Sequence, residues 1–70
     1  MIRLTVNGRE VELETPTGLV AYLDRLGVNP RAVAVERNGE ILERDAYSKT
    51  ELEAGDVVEI VRMVGGGMRR

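Results

Sequence analysis

Seventy residues make one domain, at a size where a single core is only marginally stable. Hydrophobic residues are 43% of the chain and nearly all Val, Leu, Ile and Ala, with no Phe or Trp, so the walls of a large ligand pocket are hard to build. The absence of Cys and His excludes disulfides, thiolate zinc sites, cysteine nucleophiles and a histidine base, and a formal charge of −2 gives phosphate-backbone binding no electrostatic support.

Ile2, Leu4 and Val6 alternate with Arg3 and Thr5, the period of a half-buried strand. Asn7-Gly8 is a strong hairpin signal because both residues accept positive φ. Val11 and Leu13 then alternate with Glu10, Glu12 and Glu14, completing a hairpin with one apolar face. Thr15-Pro16-Thr17 breaks the strand, and either threonine is suited to cap a helix. Leu19, Val20, Leu23 and Leu26 recur at helical spacing over two to three turns. Gly27 is a natural stop, and Asn29-Pro30 prevents the helix from resuming.

Val33-Ala34-Val35 reads as a third strand, and a second Asn-Gly turn at Asn38-Gly39 returns the chain through Ile41 and Leu42. The polar stretch from Glu43 to Glu53 offers Tyr47 and Leu52 as core anchors, and a tight turn at Gly55-Asp56 leads into a last strand, Val57 to Val64. Val58 and Ile60 are expected to point inward, which turns Glu59, Val61 and Met63 the other way. Asn38, Gly39, Gly55 and Asp56 read as turn residues with structural roles. The expected fold class is α+β in two layers, a mixed four- to five-stranded sheet with one main helix packed on one face. With the apolar first and last strands side by side this is the ubiquitin-like β-grasp. The domain is expected over residues 1–64, followed by a flexible tail over 65–70.

That tail, Gly65-Gly66-Gly67-Met68-Arg69-Arg70, holds the most distinctive composition in the chain. Glycines near a chain end read either as a loose end or as an arm. A carboxylate on such an arm can enter a narrow active site on a partner, because glycine has no Cβ to meet the channel wall. Extended glycine can also pair its backbone with a partner strand.

Four segments in fixed order carry a resemblance: the Asn7-Gly8 hairpin, Val35-Glu36-Arg37-Asn38-Gly39-Glu40-Ile41, the Leu52-Glu53-Ala54-Gly55-Asp56 turn, and the run from Val57 to Gly67. Over essentially its full length the sequence is similar to the thiamine-biosynthesis sulfur carriers of the ThiS family. The resemblance implies a carrier rather than an enzyme. Its terminal glycine would be adenylated by an E1-like adenylyltransferase that uses ATP. Sulfur from a cysteine desulfurase or other donor would convert it to a thiocarboxylate, and thiazole synthase would take the sulfur. No cofactor would be bound by the chain itself. Aligned on the family's ending, the terminal pair falls on Gly66 and Gly67, with Gly67 carrying sulfur and Gly66 as the alternative frame. Gly65, Gly66 and Gly67 would thread the partner's active site. Met68-Arg69-Arg70 departs from the pattern, so the chain is expected to need trimming after Gly67 before it can be adenylated.

Partner contact is expected at Glu12 and Glu59, as part of an acidic sheet face with Glu10 and Glu14, and at Val61, Met63 and Val64 beside the glycines. A solvated face and a covered core edge are the plainer readings of the same residues. Two other assignments remain open on the sequence. One is a neighbouring thiocarboxylate carrier, either the molybdopterin-synthase small subunit or a tRNA-thiolation carrier that doubles as a modifier. The other is a β-grasp interaction domain without sulfur chemistry. No apolar run reaches membrane-spanning length and no signal peptide opens the chain, so a cytoplasmic protein with no membrane or nucleic-acid partner is expected.

Overall fold

The computed structural model describes residues 1–63. Strands β1 (Ile2–Val6) and β2 (Arg9–Leu13) form the antiparallel hairpin, in a register that sets Ile2 against Leu13 and Leu4 against Val11. Asn7 and Gly8 both sit at positive φ, 52° and 79°, as a two-residue turn matched to the strand twist requires. A short strand β3 (Thr17–Gly18) leads directly into helix α1 (Leu19–Arg25).

The helix entrance differs from expectation. Gly18 is the N-cap, and neither Thr15 nor Thr17 caps with its side chain. The reason is that Thr17 and Gly18 pair with β6 (Glu51–Leu52), while the Leu19 amide donates to the Thr50 carbonyl at 2.9 Å. A backbone carbonyl thus satisfies a helix-end donor that a side chain would otherwise serve. The exit is as expected: Gly27 takes φ 73°, its amide bonds to Asp24, and the Val28 amide reaches back to the Leu23 carbonyl. The buried face is Leu19, Tyr22 and Leu23; Val20 and Leu26 are exposed, so Tyr22 takes a core place the apolar spacing did not assign.

A 3-10 turn, Pro30–Ala32, precedes strand β4 (Val33–Arg37), which pairs with the two-residue β5 (Glu40–Ile41). A second 3-10 turn, Arg44–Lys49, brings Tyr47 into the core. Its hydroxyl donates to the Val33 carbonyl and accepts from the Val35 amide, both at 3.1 Å. That hydroxyl serves the edge of β4 where β5 is too short to reach. The last strand, β7, runs over Val57–Arg62, and Met63, expected within it, lies just past its end with its amide bonded to the Ala32 carbonyl; Val64 is outside the described residues.

The five-stranded sheet has the order β2-β1-β7-β4-β5, with β1 and β7 parallel at its centre and every other pair antiparallel. Leu4, Val6, Leu13, Val33, Val35 and Val58 meet Leu19, Tyr22, Leu23, Tyr47 and Leu52 in one core on the helix side. This is the β-grasp arrangement. Among the described residues, no helix is long and apolar enough to cross a membrane.

Candidate functional site

The glycine segment continues from β7, so the geometry that matters is how β7 is held and what surrounds its end. At its start, Asp56 is the one buried charged residue among those described. Its carboxylate accepts from the Glu53 amide (2.9 Å), Arg37 Nε (3.0 Å) and Asn38 Nδ2 (3.1 Å). Burial pushes this carboxyl up, but the Glu53 and Asn38 hydrogen bonds and the Arg37 charge outweigh it and hold the carboxyl below the usual aspartate range. Asn38, at φ 52°, completes the latch: its Oδ1 accepts from the Val57 amide at 2.8 Å. These turn residues are structural, as the sequence indicates. What the sequence does not show is that they converge on the first residue of β7.

The sheet face away from the helix carries the expected acids, but not as one patch. Glu10 and Glu12 flank Arg3, whose Nη2 lies 2.8 Å from Glu12 and whose Nε lies 3.4 Å from Glu10. The hydrogen bond to Glu12, with the two carboxylate charges, pushes the Arg3 guanidinium further up. Glu14 lies just past the end of β2. Glu12 is level with Arg3, whereas Glu59 lies two residues beyond Val57, which is level with Thr5. At roughly 3.3 Å per residue the two acids are about 13 Å apart along the strands, at opposite ends of the face. The structure therefore does not bring Glu12 and Glu59 together. Glu59 instead neighbours Glu36, a residue the sequence reading left out.

Val61 and Met63 lie outside the core and are exposed, and Val61 stands opposite Ala34 on β4. Ile41, 78% exposed, joins them, so Ala34, Glu36, Ile41, Glu59 and Val61 line a shallow apolar groove with an acidic margin. The pairing of β5 with β4 is the signal that would have found Ile41: it sets Ile41 opposite Glu36 on the outer face. Val64, Gly65, Gly66 and Gly67 lie outside the described residues, as does the expected tail over 65–70. A larger depression lies elsewhere, on the helix side, where Arg31, Arg44 and Lys49 surround Tyr47; it shares no residue with the groove. Among the described residues, no group of three His, Cys, Asp or Glu side chains is placed to hold a metal ion.

This arrangement suits recognition by another protein: an exposed apolar groove, an acidic margin, and a strand that leads from it toward three glycines. The model of the ThiS family matches residues 2–67. The chain belongs to the ThiS family. It is 40% identical over 65 residues to the sulfur carrier protein ThiS of Bacillus subtilis (strain 168), covering 91% of this chain and 98% of that one. It is also 41% identical over 66 residues to a thiazole synthase of Paramagnetospirillum magneticum, covering 94% of this chain but 20% of the synthase. The chain thus spans about a fifth of the length of the thiazole synthases it matches. Among solved structures, the ThiS crystal structure from Geobacter metallireducens superposes with a TM-score of 0.80 at 38% identity, covering 94% of this chain and 100% of that one. A ThiS-family β-grasp is therefore the frame in which the groove and β7 are to be understood.

Proposed function

We propose that the protein is a sulfur carrier for the thiazole moiety of thiamine, acted on by partner enzymes rather than acting as one. The observation that carries this is the family match, which runs from residue 2 through the glycines and ends on Gly67. The composition agrees. A carrier that holds sulfur on its terminus needs no cysteine, and this chain has none.

The carboxylate of Gly67 attacks the α-phosphorus of ATP in an E1-like adenylyltransferase, forming an acyl-adenylate and releasing pyrophosphate. ATP belongs to that enzyme; the carrier binds no cofactor of its own. A persulfide sulfur on a cysteine desulfurase or other donor then attacks the acyl carbon and expels AMP, giving an acyl disulfide with the donor; a thiol attacks the donor's sulfur, forms a disulfide with it and releases the Gly67 thiocarboxylate. Thiazole synthase is the recipient. A stretch resembling this chain occurs within proteins named thiazole synthase, which supports the pairing. Gly65, Gly66 and Gly67 thread the partner's active site, while Glu59, Val61, Met63 and Val64 belong to the docking face. Glu12, paired with Arg3, lies far from the tail end of that face. The Gly67–Met68 bond must be cut to free the acid. The proposed compartment is the cytoplasm, shared with these enzymes.

The test is to end the gene after Gly67 and supply the adenylyltransferase, ATP and a sulfur donor. Intact mass is expected to show one oxygen replaced by sulfur. A chain ended after Gly66 serves as the alternative frame, and failure of both to gain sulfur contradicts the proposal.

A further inference from the structure

Strand β7 has two hydrogen-bonding edges, and only one is fully served by neighbouring strands. Val57 and Met63 turn their backbone groups toward β4: the Val57 carbonyl accepts from the Asn38 amide at 2.7 Å, and the Met63 amide reaches Ala32. The alternate residues Val58, Ile60 and Arg62 face the other way, toward β1. There the ladder is short. Strand β1 pairs with β7 only through Thr5 and Val6, then turns away at Asn7-Gly8. The Asn7 backbone amide makes the last main-chain bond, to the Val58 carbonyl at 2.8 Å.

Ile60, the next residue on that edge, is served by a side chain. Its amide donates to Asn7 Oδ1 at 2.7 Å, and its carbonyl accepts from Asn7 Nδ2 at 3.2 Å. A primary amide offers one acceptor and a donor, the same pair a peptide unit offers, so Asn7 adds one more rung after β1 has left. Few residues can do this here. The turn needs φ 52°, which glycine tolerates but without a side chain to bond. Aspartate tolerates that conformation too but, ionised, only accepts, which would set a carboxylate against the Ile60 carbonyl. The other asparagine turn does not repeat the device, because Asn38 spends its Nδ2 on the Asp56 carboxylate.

We infer that Asn7 is a positioning residue for delivery of the glycine arm: β4 holds one edge of β7 through Arg62 and Met63, and the Asn7 amide steadies the opposite edge at Ile60 after β1 has left, which narrows the direction in which the chain leaves the sheet. The inference rests on the proposed carrier function. Its energetic basis is that an arm which leaves in many directions occupies the productive one less often, and the rate at full docking falls by that fraction. The docking groove of Ala34, Glu36, Ile41, Glu59 and Val61 does not include Asn7, so affinity for the partner is set separately.

The experiment compares Asn7→Gly with the parent, both ended after Gly67, as substrates of the adenylyltransferase. Tyr47→Phe is included as a destabilised control that leaves this edge of β7 untouched. Asn7→Gly is expected to lower kcat for pyrophosphate release about tenfold, a common consequence of losing one anchoring hydrogen-bonded contact, with KM for the carrier little changed. It is also expected to speed hydrogen exchange at the Ile60 amide more than Tyr47→Phe does, while Tyr47→Phe leaves kcat unchanged. Parent and Asn7→Gly chains with equal kcat overturn the inference and leave the carrier function standing. So does a fall in kcat that Tyr47→Phe reproduces. A parent chain that is itself never adenylated overturns the carrier function, and this inference with it.

Discussion

Glu36 and Glu59 stand directly opposite one another on the antiparallel strands β4 and β7, so two like charges share one cross-strand position at the edge of the apolar groove. Such a pair costs the fold roughly 0.2–1 kcal/mol relative to a neutral one. Keeping it makes sense if the negative potential is used elsewhere, in steering the groove onto a basic partner surface. Glu59→Lys therefore separates folding from function. It is expected to raise Tm slightly, because it turns repulsion with Glu36 into attraction. It is also expected to slow association with the adenylyltransferase, most strongly at low salt. Thermal melts and stopped-flow association at two ionic strengths check this, and an unchanged on-rate leaves the acids as a solvated face.

Glu12→Lys is expected to behave differently. Glu12 holds Arg3 and lies at the far end of the face, so reversing it sets two cations side by side and loses the pair. The fold is weakened, while the on-rate falls less than for Glu59→Lys. Measuring both variants under the same conditions tells a local field near the tail from a diffuse one across the sheet.

Asp56 gives the protein an acid-sensitive joint. Its folded pKa lies below the value it has in the unfolded chain, so the unfolded state binds the proton more readily. Its contribution is present in full above the ordinary aspartate value of about 3.9 and is lost as pH falls from there through the lower folded value. Asp56→Asn is expected to cost about 1–3 kcal/mol at neutral pH, through loss of the charged pair with Arg37. It is also expected to flatten the fall in stability at acid pH. Urea unfolding from pH 2 to 7 measures both, and parallel curves for the two proteins contradict this role for Asp56.

Tyr47→Phe removes one oxygen and strands two buried backbone groups, the Val33 carbonyl and the Val35 amide. The cost is expected at about 1–3 kcal/mol, more than a hydroxyl deletion at an exposed site. Chemical denaturation is expected to show a lower midpoint with an unchanged m-value, since the extent of the fold is the same.

The strands of the five-stranded sheet and both Asn-Gly turns were legible because period-two alternation and positive-φ residues are local signals, written in adjacent positions, whereas the small β3-β6 pair was not. Burial of Tyr47 and Leu52 was legible because they are the large apolar side chains in a polar stretch. The missing threonine cap was not, since it depends on β3 pairing with β6 more than thirty residues away. Nor was the separation of Glu12 from Glu59, which turns on the parallel register of β1 and β7. Alternation says which face a residue occupies, and register says where along it. The second job of Asn7 was hidden for the same reason: its turn is local, but its partner Ile60 is distant in the chain.

The most direct measurement is of the chain's own end. The protein is purified from cells that are making thiamine, and its intact and fragment masses are determined. The account predicts a chain ending at Gly67, part of it with sulfur in place of one terminal oxygen. A working pool that still ends at Arg70, or sulfur found anywhere but on that terminal glycine, would contradict it.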